Sequence, residues 1–100
     1  MRIISRSTLK SLWERSPRYA DAKEPLLAWF RHVLHVNWMT PAAVKADFGS
    51  ASVLKEGRVV FHIGGNKYRL VVWINYAYRV VYIRFVGTHP QYDAIDPQTI

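Results

Sequence analysis

The sequence predicts an α+β fold, with helices in its first half and a twisted antiparallel sheet in its second. Two observations carry this. Up to Phe48 the apolar residues recur three and four apart, and beyond Ser50 they alternate. The stretch from Gly57 to Tyr92 then divides into three strand-length runs joined by short links, the pattern of an antiparallel meander.

Taken in order, Arg2 to Ser5, apolar at Ile3 and Ile4, reads as a short edge strand. Ser7 or Thr8 caps a first helix running to about Glu14, and Pro17 interrupts it. Asp21 is placed to cap a second helix, with Glu24 three residues on and Pro25 in the first turn. On that helix Leu26, Phe30, Val33 and Leu34 form the apolar stripe, opposite Glu24, Arg31 and His35. Thr40-Pro41 opens a short third helix to about Phe48, which Gly49 and Ser50 end. Arg58 to Ile63 is the first clear strand, Gly64-Gly65-Asn66 its turn, Lys67 to Asn75 the second strand, and Val80 to Val86 the third. Trp13, Trp29 and Trp38, all in the helical half, read as core or partner-contact residues.

Strand parity sorts the second half into two faces. Val59, Phe61, Ile63, Tyr68, Leu70, Val72, Ile74, Val81, Ile83 and Phe85 fall on one, which should pack on the helices. Arg58, His62, Lys67, Arg69, Trp73, Tyr82 and Arg84, with Val86, fall on the other, and an antiparallel sheet can leave such a face open. Gly57 to Tyr92 contains no Asp or Glu, and the whole chain carries 14 Lys+Arg against 7 Asp+Glu, a net charge of +7. That balance favours a polyanion or an acidic protein partner, without choosing between them. A basic face with aromatics interleaved suits phosphate and base contacts, although outward charges also keep a sheet face soluble.

After the third strand comes Thr88-His89-Pro90-Gln91-Tyr92-Asp93. An imidazole and a phenol there can exchange protons with a ribose 2′-hydroxyl and a leaving 5′-oxygen, while arginines stabilise the charge on the phosphorus centre. That scheme requires no metal and no organic cofactor. His-Pro after a strand is equally an ordinary turn. With no cysteine among the 100 residues, disulfides, thiolate catalysis and Cys-based zinc sites are excluded. His32 and His35 share a helix without a further ligand that would make them a metal site, and Gly64-Gly65-Asn66-Lys67 is not a P-loop, since it precedes a strand. The first residues lack the apolar region of a signal peptide, and no run approaches the ~18 apolar residues that span a bilayer. A cytoplasmic protein without membrane attachment is expected.

Gly64-Gly65-Asn66-Lys67-Tyr68-Arg69-Leu70-Val71-Val72, followed by Tyr82 to Asp93, resembles the HigB family of toxins. Trp38-x-Thr40-Pro41 and Val59-Val60-Phe61 fit as well, so the likeness covers nearly the whole chain. The resemblance implies one RelE-like domain over residues 1–100, with the N-terminal strand and helices on one face of the sheet. It implies a type II toxin that cleaves mRNA in the ribosomal A site and is neutralised by a HigA-like helix-turn-helix antitoxin. By the same resemblance Arg69 binds the scissile phosphate, His89 is the candidate general base, Tyr92 a general acid or stacking residue, and Arg84 a further catalytic candidate. Arg58, His62, Lys67, Trp73 and Tyr82 join them as RNA contacts by the face argument alone. Two alternatives remain open: a non-catalytic RNA- or ribosome-binding module, and a degenerate toxin that only binds a protein partner.

Overall fold

The computed structural model describes residues 1–100. Strand β1 (Arg2–Ile4) leads into helix α1 (Arg6–Arg15), a 3-10 helix (Pro17–Ala22), helix α2 (Lys23–His35) and helix α3 (Pro41–Asp47). Strands β2 (Ser52–Val53), β3 (Arg58–Ile63), β4 (Tyr68–Asn75) and β5 (Val80–Thr88) follow, and the five-residue helix α4 (His89–Asp93) comes last. The architecture is the expected α+β one. The sheet runs β1-β5-β4-β3-β2 and is mixed, because β1 pairs parallel to β5 while every other pair is antiparallel. The helices between β1 and the meander return the chain to the same end of the sheet, which a hairpin would not do.

Of the first three α-helices only α3 begins at a side-chain cap. Ser5 stands before α1 without a side-chain bond, so the helix starts ahead of Ser7 and Thr8. Asp21 does not cap α2. The chain passes into α2 directly from the 3-10 helix through Ala22, already helical, and the Asp21 carboxylate is engaged by Lys67 and Tyr68. Thr40 does cap α3, its hydroxyl accepting from the Ala43 amide at 3.2 Å, with Pro41 behind it.

One apolar layer joins helices and sheet. Leu9 and Leu12 of α1, Leu26, Trp29 and Val33 of α2, Trp38 and Val44 pack on Val59, Phe61, Leu70, Val72 and Val81 of the sheet. The α2 stripe is rotated from the expected one: Trp29 is buried and Leu34 is exposed, because Leu26, Trp29 and Val33 lie nearest the sheet. Burial of this layer at about 25 cal/mol per Å² of apolar surface is the main favourable term holding the helices down.

The parity of β5 also differs from expectation. Val71 is opposite Phe85 and Val72 is opposite Ile83, so Arg84 is an extra, unpaired residue, a β-bulge. A bulge turns the strand by one residue. Val81 and Ile83 face the helices before it, and Val86 does so after it. Phe85 is thereby moved to the opposite face and Val86 into the core, the reverse of simple alternation. Lys67 falls in the β3–β4 turn, ahead of β4.

Candidate active site

The sheet face away from the helices has an apolar floor, Val60 and Val71, both buried outside the main core. Its functional side chains separate into two groups along the strands.

The first group gathers where β4 begins and β5 ends. Arg69 is the single buried charged residue, 5% exposed. Its Nη1 donates to the carbonyls of Asn66 at 2.8 Å and Tyr68 at 3.3 Å, and the Tyr92 ring lies 5.9 Å from its Cζ. No carboxylate is among those partners. A buried cation held only by neutral dipoles retains most of its capacity to bind an anion. His62 is its cross-strand partner on β3 and Gly87 its partner on β5. Burial, followed by the positive charge of Arg69, lowers the His62 pKa below its ordinary 6.5, against an opposing hydrogen bond with Asn66. His62 is therefore neutral at pH 7 and adds no charge of its own.

Gly87 keeps this end open. A Cβ there would stand 2.6 Å from Gln91 Oε1 and 2.8 Å from Phe85 Cζ, closer than real side chains approach. Gln91 is needed where it is. Its side chain accepts from the Thr88 amide at 2.9 Å while the Thr88 hydroxyl accepts from the Gln91 amide at 3.3 Å, a capping box that fixes α4. The His89 amide donates to the Lys67 carbonyl at 3.2 Å, tying α4 to the β3–β4 turn. One turn of helix places Asp93 beside His89, with Oδ2 3.1 Å from Nδ1. A carboxylate on Nδ1 directs the imidazole and leaves Nε2 free, so this short helix presents a group capable of proton transfer on the same side of the sheet as the buried guanidinium.

The second group lies where β3 begins, at the other end of the face. Trp73 and Tyr82 are cross-strand partners, stacked with centroids 4.9 Å apart. Arg84, the unpaired residue of the bulge, stands 6.0 Å from the Trp73 ring and 5.9 Å from that of Tyr82. Arg58 is paired opposite Trp73, and its Nη1 is buried without a hydrogen-bond partner. The chain beyond α4 returns to this end, where Gln98 accepts from the Lys55 amide at 3.0 Å and donates to its carbonyl at 2.8 Å.

The sequence-derived residues thus divide. Arg69, His62, His89 and Tyr92 come together. Arg84 does not join them; it belongs with Arg58, Trp73 and Tyr82. Lys67 is at the first end but its Nζ is 2.5 Å from Asp21 Oδ2, so it is not the free cation that the face pattern implied. Asp93, Gly87 and Gln91 were not singled out from the sequence. The i,i+4 spacing of His89 and Asp93 was a usable signal for one of them. His32 has a partner too: its Nε2 is 2.7 Å from Asp47 Oδ2, which also accepts from Trp38 Nε1 at 3.2 Å.

Comparison with known proteins gives a consistent picture. A family model, HigB toxin, described as the RelE-like toxic component of a toxin–antitoxin system, matches residues 22–95. The chain is 32% identical over 95 residues to the mRNA interferase toxin HigB of Escherichia coli K12, spanning 93% of this chain and 88% of that protein. The mRNA interferase HigB of Shigella flexneri is similar to the same degree. Another, from Escherichia coli O6:H1, is 24% identical over 97 residues, covering 95% of this chain and 91% of the relative.

Proposed function

This chain belongs to the HigB toxin family, the RelE-like toxic component of a toxin–antitoxin system, and from there we propose how its sheet face cuts RNA. The chain is an mRNA interferase, an endoribonuclease, acting as one domain over residues 1–100. The observation that carries the mechanism is the buried Arg69 guanidinium, held by carbonyls and free of any carboxylate, with the Tyr92 ring 5.9 Å away and His89 two residues beyond its cross-strand partner Gly87.

A phosphodiester placed against Arg69 has its negative charge met there. His89, oriented by Asp93, takes the 2′-hydroxyl proton on Nε2. The 2′-oxygen attacks phosphorus, the bond to the 5′-oxygen breaks, and Tyr92 gives that oxygen a proton. The products are a 2′,3′-cyclic phosphate and a free 5′-hydroxyl, and the proton on His89 restores Tyr92 through solvent. Preorganised charge at the phosphate contributes most when it strengthens toward the transition state, as it does for a dianionic phosphorane beside a fixed guanidinium. The Trp73–Tyr82 pair with Arg84 and Arg58 holds flanking nucleotides by stacking and charge. His62 contributes a neutral ring beside Arg69, and Lys67 a cation at the rim.

The substrate is mRNA on the ribosome, in the cytoplasm, and the neutralising partner is a HigA-like helix-turn-helix antitoxin. Expression without antitoxin tests this directly. Wild type should slow growth and generate new mRNA 5′ ends, and Arg69→Ala, His89→Ala and Tyr92→Ala should not. RNA binding by wild type without new ends would instead support a non-catalytic RNA-binding module.

A further inference from the structure

An open cleft of about 570 Å³ adjoins the proposed active site, lined by Arg18, Tyr19, Lys67, Thr88, His89 and Pro90. Arg18 and Tyr19 come from the 3-10 helix, which neither the strand pattern nor the proposed mechanism uses. We propose that this cleft is a second nucleotide subsite, in which Tyr19 takes a base face and Arg18, the cation there without an ion pair, the phosphate next to the scissile one. The inference rests on the RNA-cleaving reading above and extends the substrate path past His89.

Four features support it. Arg18 is exposed and forms no ion pair; Ser16 fixes its backbone, the hydroxyl accepting from the Arg18 amide at 3.3 Å. Tyr19 is half-buried and held edge-on by Tyr68, centroids 6.5 Å apart, and the Arg18 guanidinium lies 6.0 Å from its ring centroid, so ring and cation form one anchored pair. Both carboxylates that touch a lining residue are engaged, Asp93 by His89 and Asp21 by two donors, Lys67 and Tyr68. That engagement, the Lys67 hydrogen bond first and the Tyr68 bond second, holds Asp21 below the usual carboxylate range, so it stays ionised and fixes both donors. Finally, His89 lines the cleft and its amide is bonded to the Lys67 carbonyl. A strand whose scissile phosphate reaches His89 therefore has a cationic, aromatic-walled path directly ahead of it. Base stacking on an anchored aromatic and charge-assisted phosphate contacts are the two elements of sequence-tolerant single-strand binding.

The test uses the whole protein and two readouts. Binding is measured by anisotropy with a 2′-deoxy copy of the mapped cleavage site, which binds without being cut, and cleavage by single turnover on programmed ribosomes. Arg18→Glu should bind about tenfold more weakly. Arg18→Ala should lower the log–log salt slope by about 0.7. Tyr19→Leu should weaken binding several-fold, Arg18→Lys should recover most of it, and cleavage at saturation should stay within about twofold for all four. Should Tyr19→Leu fail to fold, the exposed Arg18 variants still decide the matter. Wild-type affinity and salt slope in Arg18→Glu would overturn the subsite while leaving the cleavage mechanism intact. A wild-type protein that neither binds nor cuts would overturn the RNA-cleaving reading, and the subsite with it.

Discussion

The two ends of the sheet's free face are built from the same strands and the same residue classes, yet they differ in what their cations touch. At one end Arg69 is buried under Tyr92, its guanidinium fixed by two carbonyls, with His89 presented by a capped helix. At the other, Arg84 lies over the stacked Trp73 and Tyr82, with no imidazole among its contacts. Trp73 lies four positions beyond Arg69 on β4, roughly 13 Å at strand rise. That distance equals about four nucleotides of stacked strand at ~3.4 Å each, and fewer if the strand is extended. On the proposed mechanism the two ends separate chemistry from grip: a fixed cation beside a proton carrier would cut, while a cation over stacked rings would hold.

Substitutions can break this division. The largest effect is expected from Arg69→Ala, a loss of about 10²–10³-fold in cleavage rate at saturating substrate. His89→Ala should cost on the order of 10²-fold by the same assay, and Asp93→Asn less, since it disturbs only the orientation of the imidazole. Gly87→Ala should lower unfolding stability by about 1–3 kcal/mol in denaturant titration, because its methyl group meets Gln91 and Phe85. Trp73→Ala should raise the substrate concentration for half-maximal cleavage about tenfold and leave the saturating rate near wild type. If Trp73→Ala instead lowered the saturating rate as Arg69→Ala does, the two ends would not be functionally distinct.

The smallest expected effect is one of pH. His62 has a folded pKa below 6.5, lowered first by burial and then by Arg69. The unfolded chain therefore binds more protons than the folded one in that range. The contribution of neutral His62 to stability is fully present above pH 6.5 and is lost as pH falls through the folded value. Thermal melting between pH 7.5 and 5 should show a shallow decline, flattened in His62→Gln.

Much of this division was legible in the sequence, though not the division itself. Strand β3 falls where alternation placed it, Thr40 caps α3, and Gly64 and Gly65 turn the chain at φ +62. Arg69, His89 and Tyr92 were proposed from residue type, spacing and family resemblance, and the fold puts the three at one end of the sheet. What the sequence concealed depends on long-range partners. The bulge that moves Phe85 outward and Val86 into the core arises from pairing with β4, and local alternation carries no trace of it. Asp21 has the residue type of a helix cap, but Lys67 and Tyr68, 46 and 47 residues away, engage its carboxylate. The two-residue strand β2 is too short to show a period. On α2, propensity and spacing permit several stripes, and the position of the sheet selects the one containing Trp29.

The most direct test is single-turnover cleavage of mRNA on ribosomes, titrating wild type, Arg69→Ala and Trp73→Ala to saturation, with circular dichroism confirming that each is folded. The account predicts that Arg69→Ala loses its rate at every concentration, while Trp73→Ala recovers the wild-type rate at high concentration. A folded Arg69→Ala protein that cuts at the wild-type rate would contradict it.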